Sequence, residues 1–192
     1  MCPKTAYLRT AIVLLILAFF LFFIFIALGA GLYAAYSDFK GMIIPNELSL
    51  IILAVFCAYA ALINFSGNEF IVSVPSHIIG GVVMFVITFF AFMAKMMGGG
   101  DAKIMSAYAF WFGLKGIIAF VFYTALFGAV VGLVALYLKK NKPIESPKDG
   151  SWIQRVQAGE SAIPYGIPIF IGALLSFLKL GYFSAEYLKS LL

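Results

Sequence analysis

Residues 11–36 read AIVLLILAFFLFFIFIALGAGLYAAY, and no charged side chain interrupts the chain between Arg9 and Asp38. A helix rises about 1.5 Å per residue, so about 20 apolar residues cross the roughly 30 Å hydrocarbon core of a bilayer. The run of 26 is long enough. Because it follows Lys4 and Arg9, it has the outline of a signal peptide, with Ala34-Ala35-Tyr36 where cleavage would fall. It is too long for a signal h-region and further apolar runs come after it, so it reads as a first membrane helix.

The composition agrees. Of 192 residues, 64% are hydrophobic and 21 are Phe, while only 11% are charged. A soluble domain carries about 25% charged residues. That excludes a soluble enzyme, a disordered chain and a coiled coil. The net charge of +5 does not point to nucleic acid, because the basic residues sit between apolar runs, where membrane topology accounts for them. Cys2 and Cys57 form no CxxC and lie near no His cluster, so neither a zinc site nor a disulfide framework is expected.

The fold expected is all-α: one membrane-embedded domain over 1–192 with about six transmembrane helices and the bilayer as its surroundings. Helix 2 is expected over 48–63, opened by Pro45-Asn46 with Asn46 as N-cap and left through Asn64–Asn68. Helix 3 is expected over 78–97, with Lys95 near its end reaching the headgroups. From Ile104 to Leu138 the chain is apolar except for Lys115, which suits two helices turning at Gly113–Gly116. The first would hold about ten to fourteen residues, roughly 15–21 Å, so its glycine-rich entrance lies below the membrane surface. A polar stretch over 139–162 precedes a last helix over 163–180 and a short interfacial tail.

With both termini outside, eight basic residues lie inside and five outside. Lys4 and Arg9 before the first helix argue the other way, and the five basic residues of 139–155 outweigh them. Loops of about 37–47, 95–103 and 139–162 then face the cytoplasm, with the basic 139–155 stretch against anionic lipid.

Only eight residues are acidic. Glu69, Glu145, Asp149, Glu160 and Glu186 fall in loops or the tail, and Glu47 in the first turn of helix 2 favours the helix dipole. Asp38 and Asp101 remain, both at a membrane boundary and on the same side of the bilayer. Ionisable groups at that depth are costly and mark function. Two carboxylates converging in a low dielectric can share one proton, so that one activates water while the other protonates a scissile carbonyl. Three glycines before Asp101 let the backbone bend and approach an extended substrate. Taken singly, Asp101 also fits a helix N-cap, Asp38 a loop residue, Lys40 and Lys103 topological charges, and Pro45 the start of a helix. The same acids also suit a proton or ion pathway in a small transporter.

At these residues the sequence resembles the type IV prepilin peptidases, a family of membrane-embedded GxGD aspartic proteases. Asp38-Phe39-Lys40-Gly41-Met42-Ile43-Ile44-Pro45-Asn46 resembles the family's Asp at a helix end followed by a short basic stretch and Ile-Pro-Asn. Gly98-Gly99-Gly100-Asp101-Ala102-Lys103 resembles its Gly-x-Gly-Asp-x-Lys, with Trp111-Phe112-Gly113 following, and Ile163-Pro164-Tyr165-Gly166 is a third similarity. The resemblance implies that Asp38 and Asp101 are the catalytic pair and that Gly98 and Gly100 shape the loop presenting Asp101. It also implies that Pro164, Tyr165 and Gly166 lie beside the aspartates against substrate, although Pro164 equally suits a plain helix start. The implied activity is removal of the basic leader from prepilin-like proteins at the cytoplasmic face of the inner membrane, with no metal or organic cofactor and no nucleic acid. The sequence contains no CxxC insert, which suggests the short peptidase-only form of tight-adherence (Tad/Flp-type) pilus systems, without N-methyltransferase activity. The archaeal preflagellin peptidases are the nearest alternative.

Overall fold

The computed structural model describes residues 3–65, 74–161 and 163–184. Every regular element in them is a helix: α1 (Pro3–Gly41), α2 (Asn46–Phe65), α3 (Val74–Met93), α4 (Gly99–Asn141), α5 (Trp152–Gln157) and α6 (Gly166–Lys179). Leu14–Gly41, Val74–Met93 and Gly99–Asn141 are long and apolar enough to cross a membrane, and Asn46–Leu62 and Gly166–Lys179 are shorter apolar helices. The fold is therefore all-α and of the membrane type. Ser66-Gly67-Asn68, Glu69, Glu186, Cys2 and most of the expected tail lie outside the described residues.

The longest element, α4, is a hairpin. Gly113 has φ 57° and ψ −174°, a conformation outside the helical region. Phe120 lies against Tyr108 and Phe112, with ring centroids 6.1 and 5.1 Å apart. Twelve residues of straight helix would separate Phe120 from Tyr108 by about 18 Å. The arms 99–112 and 114–141 are thus antiparallel, which is the expected pair of helices turning at Gly113–Gly116.

A broken helix leaves backbone groups unpaired, and in lipid each has to be met from within the protein. Here α3 meets them. Ser76 Oγ accepts the Leu114 N–H at 3.3 Å, and His77 Nδ1 lies 2.7 Å from the Phe110 carbonyl. A carbonyl only accepts, so Nδ1 carries the proton. The Tyr182 hydroxyl donates to the Trp111 carbonyl. Trp111 itself is fully buried, stacked 5.7 Å from Tyr59, and its indole N–H donates to the Ile52 carbonyl at 3.0 Å. This aromatic knot ties α2, α4 and the chain after α6 together at the turn.

At the other end of the first arm the helix boundaries differ from expectation. α1 continues through Gly41, which puts Asp38 in its last turn and shrinks the 37–47 loop to residues 42–45. α3 stops at Met93 instead of Met97: the Lys95 N–H bonds back to Phe92 O and the Met96 N–H to Ala91 O, with Lys95 left-handed at φ 60°. That bond pair closes a helix in a Schellman turn, a place glycine usually takes. α4 begins at Gly99, ahead of the apolar run from Ile104, so that Asp101 opens the helix as expected. Asn46 is the first helical residue of α2 and not the N-cap before it, and its Oδ1 accepts from Lys103 Nζ at 2.8 Å. The 139–162 stretch is more than a solvated loop: it forms α5, capped by Ser151, with Trp152 buried against Phe39 of α1.

Candidate active site

Asp38 and Asp101 line one open cavity of about 600 Å³, together with Gly98, Tyr165, Lys95 and Met97. The two aspartates come from different helices, Asp38 from α1 and Asp101 from α4.

Asp38 is held at both ends. Its carbonyl accepts the Met42 N–H at 2.8 Å, the bond that stops α1, and Met42 is left-handed at φ 57°. Its carboxylate would face the negative end of its own helix. Instead Oδ2 accepts the Gly166 N–H at 2.8 Å, from the first turn of α6, where the helix dipole is positive. Asp38 is only 5% exposed. The close approach of α6 requires Gly166, since a Cβ there would lie 3.0 Å from Asp38 Cβ and 3.1 Å from Ala34 O.

Asp101 lies in the first turn of α4, two residues inside the helix. The N-cap position is Gly98, so Asp101 does not cap by itself. From there its carboxylate turns back toward Gly98. A Cβ on Gly98 would lie 2.8 Å from Asp101 Oδ2. Gly98 has an extended backbone open to any residue, so what it provides is room for the carboxylate. Behind Asp101, α4 is pinned to α3: the Ser106 and Thr88 hydroxyls lie 2.9 Å apart and both reach the Ala102 carbonyl, at 2.7 and 3.3 Å.

Both carboxylates therefore lie at a helix N-terminus, Asp38 at that of α6 and Asp101 at that of α4, in one shared cavity. Such a site can hold an ionised and a protonated carboxyl group around a water. Of the other expected residues, Tyr165 lines the cavity and Gly166 bonds to Asp38, while Gly100 packs against Ile44 and Pro164 is buried without lining the cavity. Lys95, expected at the headgroups, is turned into the cavity by the early end of α3. Ser161, from the polar stretch before α6, also lines it. Ser76, His77, Thr88 and Ser106 went unnoticed in the sequence. A polar side chain inside an apolar run was the available signal, since in lipid it needs a partner. Among the described residues no three His, Cys, Asp or Glu side chains gather as metal ligands.

Residues 25–133 match the model of the type IV leader peptidase family. A prepilin leader peptidase/N-methyltransferase of Pectobacterium carotovorum subsp. carotovorum is 27% identical over 123 residues, 60% of this chain and 42% of its own. Another of that description, from Xanthomonas campestris pv. campestris, is 27% identical over 109 residues, 53% of this chain and 36% of its own. The chain thus spans less than half the length of these curated relatives. No solved structure gives a significant match.

Proposed function

The chain belongs to the type IV leader peptidase family, and on that premise we propose that it is a two-aspartate endopeptidase that removes the basic leader from prepilin-like proteins. The reading rests on Asp38 and Asp101 in one cavity, each at the N-terminal end of a helix. The ionised carboxylate takes a proton from water, which attacks the scissile carbonyl carbon. The protonated one assists the carbonyl oxygen, and the C–N bond breaks as the leaving amine takes a proton. The pair acts as a unit, so acid and base are not assigned to one residue each. The cavity opens at the cytoplasmic face of the inner membrane, where the leader is presented. With no CxxC pair in the sequence, the activity is cleavage alone, as in the short peptidases of tight-adherence pilus systems.

The test is cleavage in membranes. The wild type, Asp38→Asn or Asp101→Asn is co-expressed with a pilin encoded nearby, and leader loss is followed by mass. Wild type cleaves, and each variant loses about 10²–10⁴-fold, the usual contribution of a general acid or base. Equal cleavage by all three would end the two-aspartate reading. Cation flux lost in the variants with no protein cut would favour a transporter.

A further inference from the structure

A groove of about 450 Å³ leads away from the aspartate cavity and shares Met97, Ile163 and Tyr165 with its lining. It runs along the second arm of α4 beneath Met105 of the first. Its floor is a ladder of small residues four apart: Thr124, Gly128 and Gly132, with Ala125 and Ala129 beside them. Both alanines are exposed, so the groove opens sideways into the bilayer. Thr124 itself is only 4% exposed, and its hydroxyl is turned to Gly172 of α6, so that what the groove offers a partner is the small, apolar surface of Ala125 and Ala129.

In lipid, helices associate through small residues that let backbones come close. We propose that this groove seats the apolar helix of the substrate, antiparallel to the second arm of α4, with Ala125 and Ala129 against it. The proposal rests on the peptidase reading and adds where the substrate lies. Continuity with the aspartate cavity selects this groove over a larger one. An apolar groove of about 590 Å³ between α2, α3 and α4, which includes Leu50 and Val82, shares no lining residue with the aspartates. The geometry also sets a register. Met97, beside Asp101, lies with Gly132, while Met105, two turns deeper, lies with Thr124 and Ala125. A substrate helix descending from the cut meets Ala129 first and Ala125 four residues, about 6 Å, further on.

Disulfide cross-linking in native membranes tests this. Cys2→Ser and Cys57→Ser remove the native thiols, and Asp101→Asn keeps the prepilin uncut. Single cysteines are placed along the prepilin's apolar segment against Ala129→Cys, Ala125→Cys or, in the other groove, Val82→Cys. Pairing is expected at Ala129→Cys and Ala125→Cys, with the best substrate position moving four residues between them, and none at Val82→Cys. Pairing at Val82→Cys, no shift of register, or no pairing at all overturns the groove, provided that the wild type cuts this prepilin. If the wild type does not cut it, the peptidase reading fails and the groove falls with it. As a second measurement, Ala129→Phe should slow cleavage roughly tenfold, about 1.4 kcal/mol of docking. Its lipid-facing neighbour Val130→Phe, 48% exposed, should cut like wild type. Equal rates in the two would also overturn the proposal.

Discussion

The first arm of α4 begins and ends at glycine, and the two ends are built for opposite purposes. At Gly113 the break is sealed: Ser76 and His77 take the Leu114 N–H and the Phe110 carbonyl, and aromatic rings fill the space around them. At Gly98 the backbone is left facing a cavity, and what lies beside it there is the Asp101 carboxylate. Intramembrane glycine breaks thus come in two kinds. Where neighbouring side chains satisfy the freed backbone, the break is a joint; where they leave it open to a cavity, it is a site.

That contrast can be broken from either end. The largest effect is expected at the open one. Gly98→Ala introduces a Cβ 2.8 Å from Asp101 Oδ2 without straining the backbone, so the carboxylate has to move. Leader cleavage should fall about 10²-fold, the scale of a 1 Å misplacement, while thermal unfolding in detergent stays near wild type. At the sealed end the signature reverses. Gly113→Ala forces a side chain into a glycine-only conformation and should cost about 1–3 kcal/mol in a denaturant titration. Its folded fraction should still cleave at a near-normal rate. His77→Ala leaves the Phe110 carbonyl unpaired and should lower stability by about 1–3 kcal/mol. Restoring a donor with His77→Asn should recover part of that loss. A drop in cleavage larger than the drop in folded protein, in either variant, would erase the distinction between joint and site.

The smallest effect is expected beside the open end. Lys103 follows Asp101 by two residues, yet it is exposed and its amine goes to Asn46, away from the aspartate cavity. Lys103→Ala should leave cleavage unchanged and stability within about 0.5 kcal/mol, as for most exposed substitutions. Lost cleavage with normal membrane insertion would extend the open site to α2.

Much of this was legible in the residues. The apolar runs, the turn at Gly113–Gly116 and the short helix behind Asp101 follow from charge spacing and glycine placement, which depend on local chain chemistry and bilayer thickness. Helix ends were less legible: α3 closes on Lys95, where no glycine announces a left-handed residue. α5 was missed because its six residues gain their place from Trp152 packing on Phe39, a contact with no local signature.

By itself the sequence determined that this is an all-α membrane protein with two acids where acids are expensive, because removing charge from long segments leaves the bilayer as their only solvent. Which polar groups meet was decided by tertiary structure alone. Asp38 and the Gly166 N–H are 128 residues apart in the chain, and nothing near either residue specifies the other. The physical reason is that these helices are apolar on nearly every side. In water an apolar stripe shows which face turns inward. In lipid the outward face is apolar too, so rotation and pairing are set by packing and by the few hydrogen bonds that the fold must satisfy.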